Sequence, residues 1–391
     1  MKVILATDSI FWPLTGIGKY TFELAKRYSS DNRLSDIRFF NMGHWQTVNE
    51  FQQFGEESTG ELKKSNLLGR GFGFLRKTLA ASKPAVKVYS TLTPLLYQHR
   101  LKPYSADYIY HSPNFMLPAF SGKKVVTFHD LSIFKFPEFH PSTRVSFLKT
   151  EMLKAAQLAD HIITDSEIVR QEVVEYFSRA AEDVTAIPLA SSLGSEPCDA
   201  SVLNALLKRH GLIREQFFLF VSSIEPRKNI GRVLDAYEAL PMAFKRRHPL
   251  VLAGSSGWKS EDIFDRIRLL NQDGLVHYLG YTTDAELECL YSSAGALLFP
   301  SVYEGFGLPI VEAQTFGLPV ITSDISCMPE VAGGAAMLVD PYDVKAISDA
   351  LEKIMSDVET RQELKAKGYK NAMTYSWDRT VAMTLDVYAG L

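Results

Sequence analysis

Short apolar runs alternate with amphipathic stretches along most of the chain. Residues 2–7, 107–110, 124–128, 161–164, 184–187, 217–222, 250–253, 277–279, 296–299 and 319–322 are compact apolar segments, most of them stopped by polar or turn residues. Runs of this kind read as strands buried on both faces, as in a parallel sheet. Between them, residues 20–28, 145–158, 201–210, 230–240, 344–355 and 359–371 place apolar side chains at helical spacing. The alternation holds in both halves, which predicts an α/β protein with mostly parallel sheets. At 391 residues the chain is long enough for two domains, each with its own core. The segment 190–202, ASSLGSEPCDASV, is small, polar and rich in turn formers, and it reads as the linker between halves spanning 1–190 and 203–374.

The polar residues that end these strands carry the candidate chemistry, because ligands of open α/β sheets gather at the carboxyl ends of strands. After the first strand comes Gly16-Ile-Gly18, expected to loop into a helix beginning near Tyr20. The third glycine of a dinucleotide fingerprint is missing, since Thr21 stands in its place, and this weighs against an NAD enzyme. His111 to Asn114 and His129-Asp130 end two strands of the first half and should border a cleft; His129 could donate to a sugar hydroxyl or a leaving phosphate, or be structural. In the second half, Ser223-Ile-Glu-Pro-Arg227-Lys228-Asn229 sets two cations at a strand-to-helix turn. Such a pair suits a diphosphate, gripped bidentately by arginine and as a point charge by lysine.

The densest pattern is 295–317, GALLFPSVYEGFGLPIVEAQTFG. A buried strand stops at Pro300, Glu304-Gly305-Phe306-Gly307 loops, and Leu308-Pro309 opens a helix in which Glu312 lies near the start. The two glycines let backbone N–H groups approach a ligand, and the helix they feed presents roughly half a positive charge. An anion site with a carboxylate at each edge fits a phosphate flanked by polyols, as in a nucleotide diphosphate sugar.

Composition narrows the partners. The net charge of −3 and a pI near 6.3 give no case for nucleic-acid binding. Three widely spaced cysteines, Cys198, Cys289 and Cys327, suggest neither a disulfide framework nor a metal site, so a cytoplasmic location is expected. No window reaches the roughly 18 apolar residues of a membrane span. Residues 62–106 depart from the rest: nine lysines and arginines, no acid, and interleaved leucine and phenylalanine. This segment is a candidate for peripheral docking on an anionic membrane face, the alternative being helices packed on their own domain.

The spacing EGFGLPIVE resembles the E-x7-E signature of glycosyltransferase family 4, the retaining nucleotide-sugar enzymes of the GT-B fold, in which two Rossmann-like domains face across a cleft. The resemblance extends to the G-x-G loop, TFHD at 127–130, IEPRKN at 224–229, EVAGG at 330–334 and TYSWDRTVAMTLDVY at 374–388. It implies that Gly16, Gly18, Ser223, Arg227, Lys228 and residues 304–308 (Glu304, Gly305, Phe306, Gly307, Leu308) hold the donor, Glu304 touching the sugar and Glu312 the ribose. Tyr281 and Leu287 lie near the base, and His129, Arg227, Lys228 and Glu304 are the catalytic set. It also implies that the terminal helix, 375–391, crosses back to the first half, with Trp377 as an anchor. IPLA at 187–190 and HSPN at 111–114 are similar to O-antigen mannosyltransferases, which implies a GDP-linked mannose or 6-deoxy relative and an oligosaccharide or lipid-linked acceptor. A UDP-sugar transferase of the same fold and a noncatalytic nucleotide-sugar-binding partner remain alternatives. No D-x-D pair follows a strand, so metal independence is expected, with no cofactor besides the donor co-substrate.

Overall fold

The computed structural model describes residues 1–47, 50, 97–194, 198–258 and 260–391. Strands β1 (Lys2–Ala6), β2 (Asp36–Asn41), β3 (His44–Gln46), β4 (Tyr108–Ser112), β5 (Lys124–Phe128), β6 (His161–Thr164) and β7 (Val184–Ala186) form one sheet. Its order is β3, β2, β1, β4, β5, β6, β7, and only the β2–β3 pairing is antiparallel. The second sheet holds β8 (Phe218–Val221), β9 (Leu250–Ala253), β10 (Val276–Gly280), β11 (Ala296–Phe299), β12 (Val320–Ser323) and β13 (Met337–Val339). Its order is β10, β9, β8, β11, β12, β13, parallel throughout. Strands such as Leu250–Ala253 and Ala296–Phe299 are buried at every residue, which is why they are apolar without alternation. The expected α/β class with two parallel-sheet, Rossmann-like domains is the architecture found.

Strand order reverses direction at β1/β4 in one sheet and at β8/β11 in the other. These switch points open a crevice at the carboxyl ends of the strands, and the loops carrying the candidate residues leave from there. The helices that bear on the crevice are α1 (Gly16–Tyr28), α2 (Glu167–Phe177), α3 (Ile230–Glu238), α4 (Asp284–Ser293), α5 (Leu308–Thr315) and α6 (Trp377–Ala389).

Three local expectations are corrected. Gly16 and Gly18 do not form a loop ahead of a helix at Tyr20: α1 begins at Gly16, and Thr15 caps it by accepting from the Gly18 N–H at 3.4 Å. Strands β2 and β3 escaped the apolar-run reading because Asp36 and Arg38 interrupt the first and the second is only three residues long. Cys198 and Cys289 form a disulfide, with Cα atoms 5.2 Å apart, tying the connecting segment to α4; 91 residues separate them, a distance no spacing rule spans.

The C-terminal helix α6 packs on α1. Trp377 is buried and donates to Ser192 Oγ at 3.0 Å, Thr380 donates to the Pro188 carbonyl at 2.7 Å, and the Tyr388 hydroxyl lies 2.9 Å from that of Tyr28. His111 belongs to this core and not to the crevice. Buried between Thr127 and Tyr388, it has its pKa lowered to about 3 by burial and by the charge of His129, so it is neutral. Among the described residues, no helix is long and apolar enough to cross a membrane. The proposed docking segment lies for its greater part, residues 62–96, outside the described residues.

Candidate active site

The turn after β8 and the loop after β11 meet in a charged knot. Arg227 and Lys228 occupy a short 3-10 turn ended by Asn229, which sits at φ 64° and donates to the carbonyls of Pro300 and Pro341 at 3.0 and 2.7 Å. Those two bonds fix the turn against the chain leaving β11 and β13. The Glu304 carboxylate then accepts from Arg227 Nη1 at 2.8 Å and from Lys228 Nζ at 2.6 Å. Arg227 also donates to the Tyr303 carbonyl at 2.7 Å and to Glu225 at 3.1 Å, and lies 4.0 Å from Asp130 on the other side of the crevice.

Burial alone would disfavour every charge here, yet the charges support one another. For Glu304, burial pushes the pKa up, but Arg227 and Lys228 outweigh it and the net shift is down. For Arg227, burial is outweighed by Glu304, Asp130 and Glu225, and the guanidinium is held above its ordinary range. The three residues expected in the second-half catalytic set are therefore gathered at one point, as a fixed ion cluster.

On the opposite wall His129 follows β5. Its Nδ1 lies 2.7 Å from Asp165 and its Nε2 lies 2.9 Å from the Pro113 carbonyl oxygen. Both neighbours offer acceptor oxygens, a geometry that favours the doubly protonated, charged ring. Burial opposes that charge, but Asp165 prevails and the pKa is raised. Both ring nitrogens are engaged in this geometry, so donation from His129 to a sugar or phosphate requires one of these bonds to be given up.

The two walls touch. A Cβ built on Gly305 would fall 1.7 Å from the His129 carbonyl oxygen, so only glycine permits the approach. Ser166 donates to the Gly305 carbonyl at 2.7 Å, and Tyr303 donates to Glu172 of α2 at 2.5 Å while accepting from the Leu131 N–H at 3.1 Å. Glu330 accepts from the N–H groups of Glu167 and Ile168 at 2.9 and 3.3 Å, capping α2 from the other domain.

Gly307, at φ +88°, leads into α5, whose first turn has no side-chain cap and no acidic residue. A Cβ on Gly16 would lie 4.0 Å from Leu308 Cδ1, so the N-termini of α1 and α5 face each other. Glu312 stands apart from the ion cluster. It is buried in α5 and accepts from the Tyr291 hydroxyl at 2.8 Å; burial raises its pKa, only partly offset by Lys19 and Tyr291. Phe306 is buried, with its ring packed edge-on against Tyr375. Ser223 is half-buried beyond β8, Leu287 is buried, and Tyr281 is 58% exposed at the end of β10.

Glu225, Asp130, Asp165, Tyr303 and Glu330 join the site without having been assigned roles in it. Tyr303 pairs with Glu172 131 residues away and Glu330 with Glu167 163 residues away, so only the folded chain reveals those two pairings.

Residues 207–371 match the family model described as glycosyl transferases group 1. The chain is 36% identical over 388 residues to an O-antigen chain mannosyltransferase B of Escherichia coli, covering 99% of each. It is 26% identical over 239 residues to an O-antigen chain mannosyltransferase of Salmonella typhimurium, covering 59% of this chain and 60% of the relative. Its fold is similar to that of an Anabaena protein solved in complex with UDP-glucose, with a TM-score of 0.70, 17% identity and full coverage of both chains.

Proposed function

The chain belongs to the glycosyl transferase group 1 family, and from that premise we propose that it moves mannose from GDP-mannose onto a saccharide hydroxyl, with retention, in O-antigen assembly. It is a hexosyltransferase of the GT-B fold. The observation that carries the donor reading is the meeting of Arg227 and Lys228 with Glu304 beside the uncapped N-terminus of α5. Cations and backbone N–H groups there suit a diphosphate leaving group, and a carboxylate within the same cluster suits sugar hydroxyls. The sugar and the acceptor class are supported by the likeness to two O-antigen chain mannosyltransferases.

In the reaction, the acceptor oxygen bonds to the anomeric carbon as the bond from that carbon to the phosphate oxygen breaks. The electron pair goes to the diphosphate, and the hydroxyl proton passes to a phosphate oxygen on the same face. Arg227, Lys228 and the α5 N-terminus meet the growing negative charge, and His129 adds a fixed positive charge from the opposite wall. The work of the protein is then positioning and charge stabilisation. Gly16 and Gly18 line the N-terminal side of the diphosphate, Glu312 holds the ribose, and Tyr281 borders the base. A lipid-linked acceptor, delivered where the segment 62–106 meets an anionic cytoplasmic membrane face, completes the proposal.

Thermal unfolding with GDP, UDP, ADP and CMP tests the donor. GDP at a hundred times its dissociation constant should add about 2.7 kcal/mol, and Glu312→Ala should abolish the gain. Selective stabilisation by UDP would overturn the mannosyl donor, and no response to any nucleotide would overturn the reading of the crevice. Transfer should proceed unchanged in EDTA; activity lost to EDTA and restored by magnesium or manganese would sink the metal-independent scheme.

A further inference from the structure

Each acid of the E-x7-E pair feels a cation, and the second cation comes from the other domain. Glu304 has Arg227 and Lys228. Glu312 has Lys19, in the first turn of α1, whose charge acts on it across the crevice. Lys19 Nζ is bonded to Asp284 Oδ1 on α4 at 2.9 Å. The bond is lopsided: the Lys19 side chain is 17% exposed and that of Asp284 is 61% exposed. An ion pair with one partner in water is weakly held, so the lysine can exchange that carboxylate for a better anion at little cost.

We propose that Lys19 is a donor-binding residue, reaching across the crevice to the diphosphate of the nucleotide sugar, with Asp284 the carboxylate it gives up to do so. The proposal rests on the donor reading above and extends it to a residue of the opposite domain. Lys19 sits one turn from Gly16, where the N-termini of α1 and α5 face each other, and neither helix has an acidic residue in its first turn. An anion held there is met by two helix ends and by a nearly buried ammonium. The charges of Glu312 and Asp284 both act on that ammonium, so the lysine offsets the repulsion these two carboxylates would exert on an incoming phosphate. Because Arg227 and Lys228 belong to one domain and Lys19 to the other, the diphosphate becomes a bridge between them, and donor binding favours the closed arrangement.

Calorimetric titration of the full-length protein with GDP and with guanosine separates this from a purely structural strut. Lys19→Met should weaken GDP binding about tenfold and leave guanosine within twofold, with Lys19→Arg restoring most of the GDP affinity. Asp284→Asn keeps the ammonium and removes its resting partner, so GDP should bind as well as or better than in the unmodified protein. The proposal is overturned if Lys19→Met changes GDP affinity less than twofold, or weakens GDP and guanosine alike. It is equally overturned if Asp284→Asn loses as much GDP affinity as Lys19→Met, since the interdomain bond itself would then be what matters. Failure of the unmodified protein to bind either GDP or UDP would instead remove the donor reading on which the proposal stands.

Discussion

Gly305→Ala should cut turnover by about a hundredfold or more while leaving the melting temperature of the protein nearly unchanged. The added methyl would fall 1.7 Å from the His129 carbonyl oxygen and 3.1 Å from Asp130 Cβ. Neither neighbour is the free end of a flexible side chain: one is backbone at the end of β5, and the other is fixed by the bond from the Ser132 N–H to Asp130 Oδ1 at 2.8 Å. Relief comes only by moving the walls apart by more than about 1 Å, and displacements of that size cost about two orders of magnitude when a reaction depends on aligned groups. Within each domain the packing is untouched, because the clash lies between them. Small-angle scattering should show a larger radius of gyration for the variant, and steady-state kinetics should show the loss in kcat. A variant that turns over normally would mean that the contact between Gly305 and His129 is not part of the reacting state.

How much of this was legible beforehand depends on where each partner lies in the chain. The buried strands were, because runs such as Phe218–Val221 and Ala296–Phe299 have few other ways to satisfy both faces of a sheet. The meeting of Glu304 with Arg227 and Lys228 was legible only in part. The residue types and their strand-end positions pointed to one crevice, and the family resemblance gave them roles, but the direct ion pairing of acid to cations appears only once the chain is folded. The helical start at Gly16 was hidden because glycine reads as loop, while Thr15 supplies the cap that lets the helix begin there. His129 was legible as a strand-end residue, and its protonation was not, since that depends on Asp165 and on a backbone carbonyl 16 residues away. Glu225 was part of a recognised segment, yet nothing in the segment shows that its carboxylate turns back on Arg227.

Arg227→Met should destabilise the protein by about 3–5 kcal/mol at neutral pH, and the deficit should shrink as the pH falls. The guanidinium is the common partner of Glu304, Glu225 and Asp130; the first two are buried, and the Asp130 side chain is 27% exposed. Glu304 keeps Lys228 after the substitution, whereas Glu225, one of whose oxygens already lacks a hydrogen bond, loses its cation. In the unmodified protein, burial raises the pKa of Glu304 and Asp130, but Arg227 together with Lys228 at Glu304, and Arg227 together with Ser132 and His129 at Asp130, more than reverse it, so both stand below their ordinary values. Groups with depressed pKa values contribute stability above the unfolded carboxylate range and lose it as the pH falls through the folded value. In the variant, burial acts on Asp130 with only Ser132 and His129 to offset it, so its folded pKa rises relative to that in the unmodified protein. The variant is thus weakest where the acids are ionised, and it recovers as they take up protons that the unmodified protein resists. Urea unfolding at pH 7.5 and at pH 5 measures both sides of this comparison. A gap of equal size at the two pH values would assign the loss to packing around the arginine stem, and a gap below about 1 kcal/mol would mean that the ion cluster is not what holds these carboxylates in place.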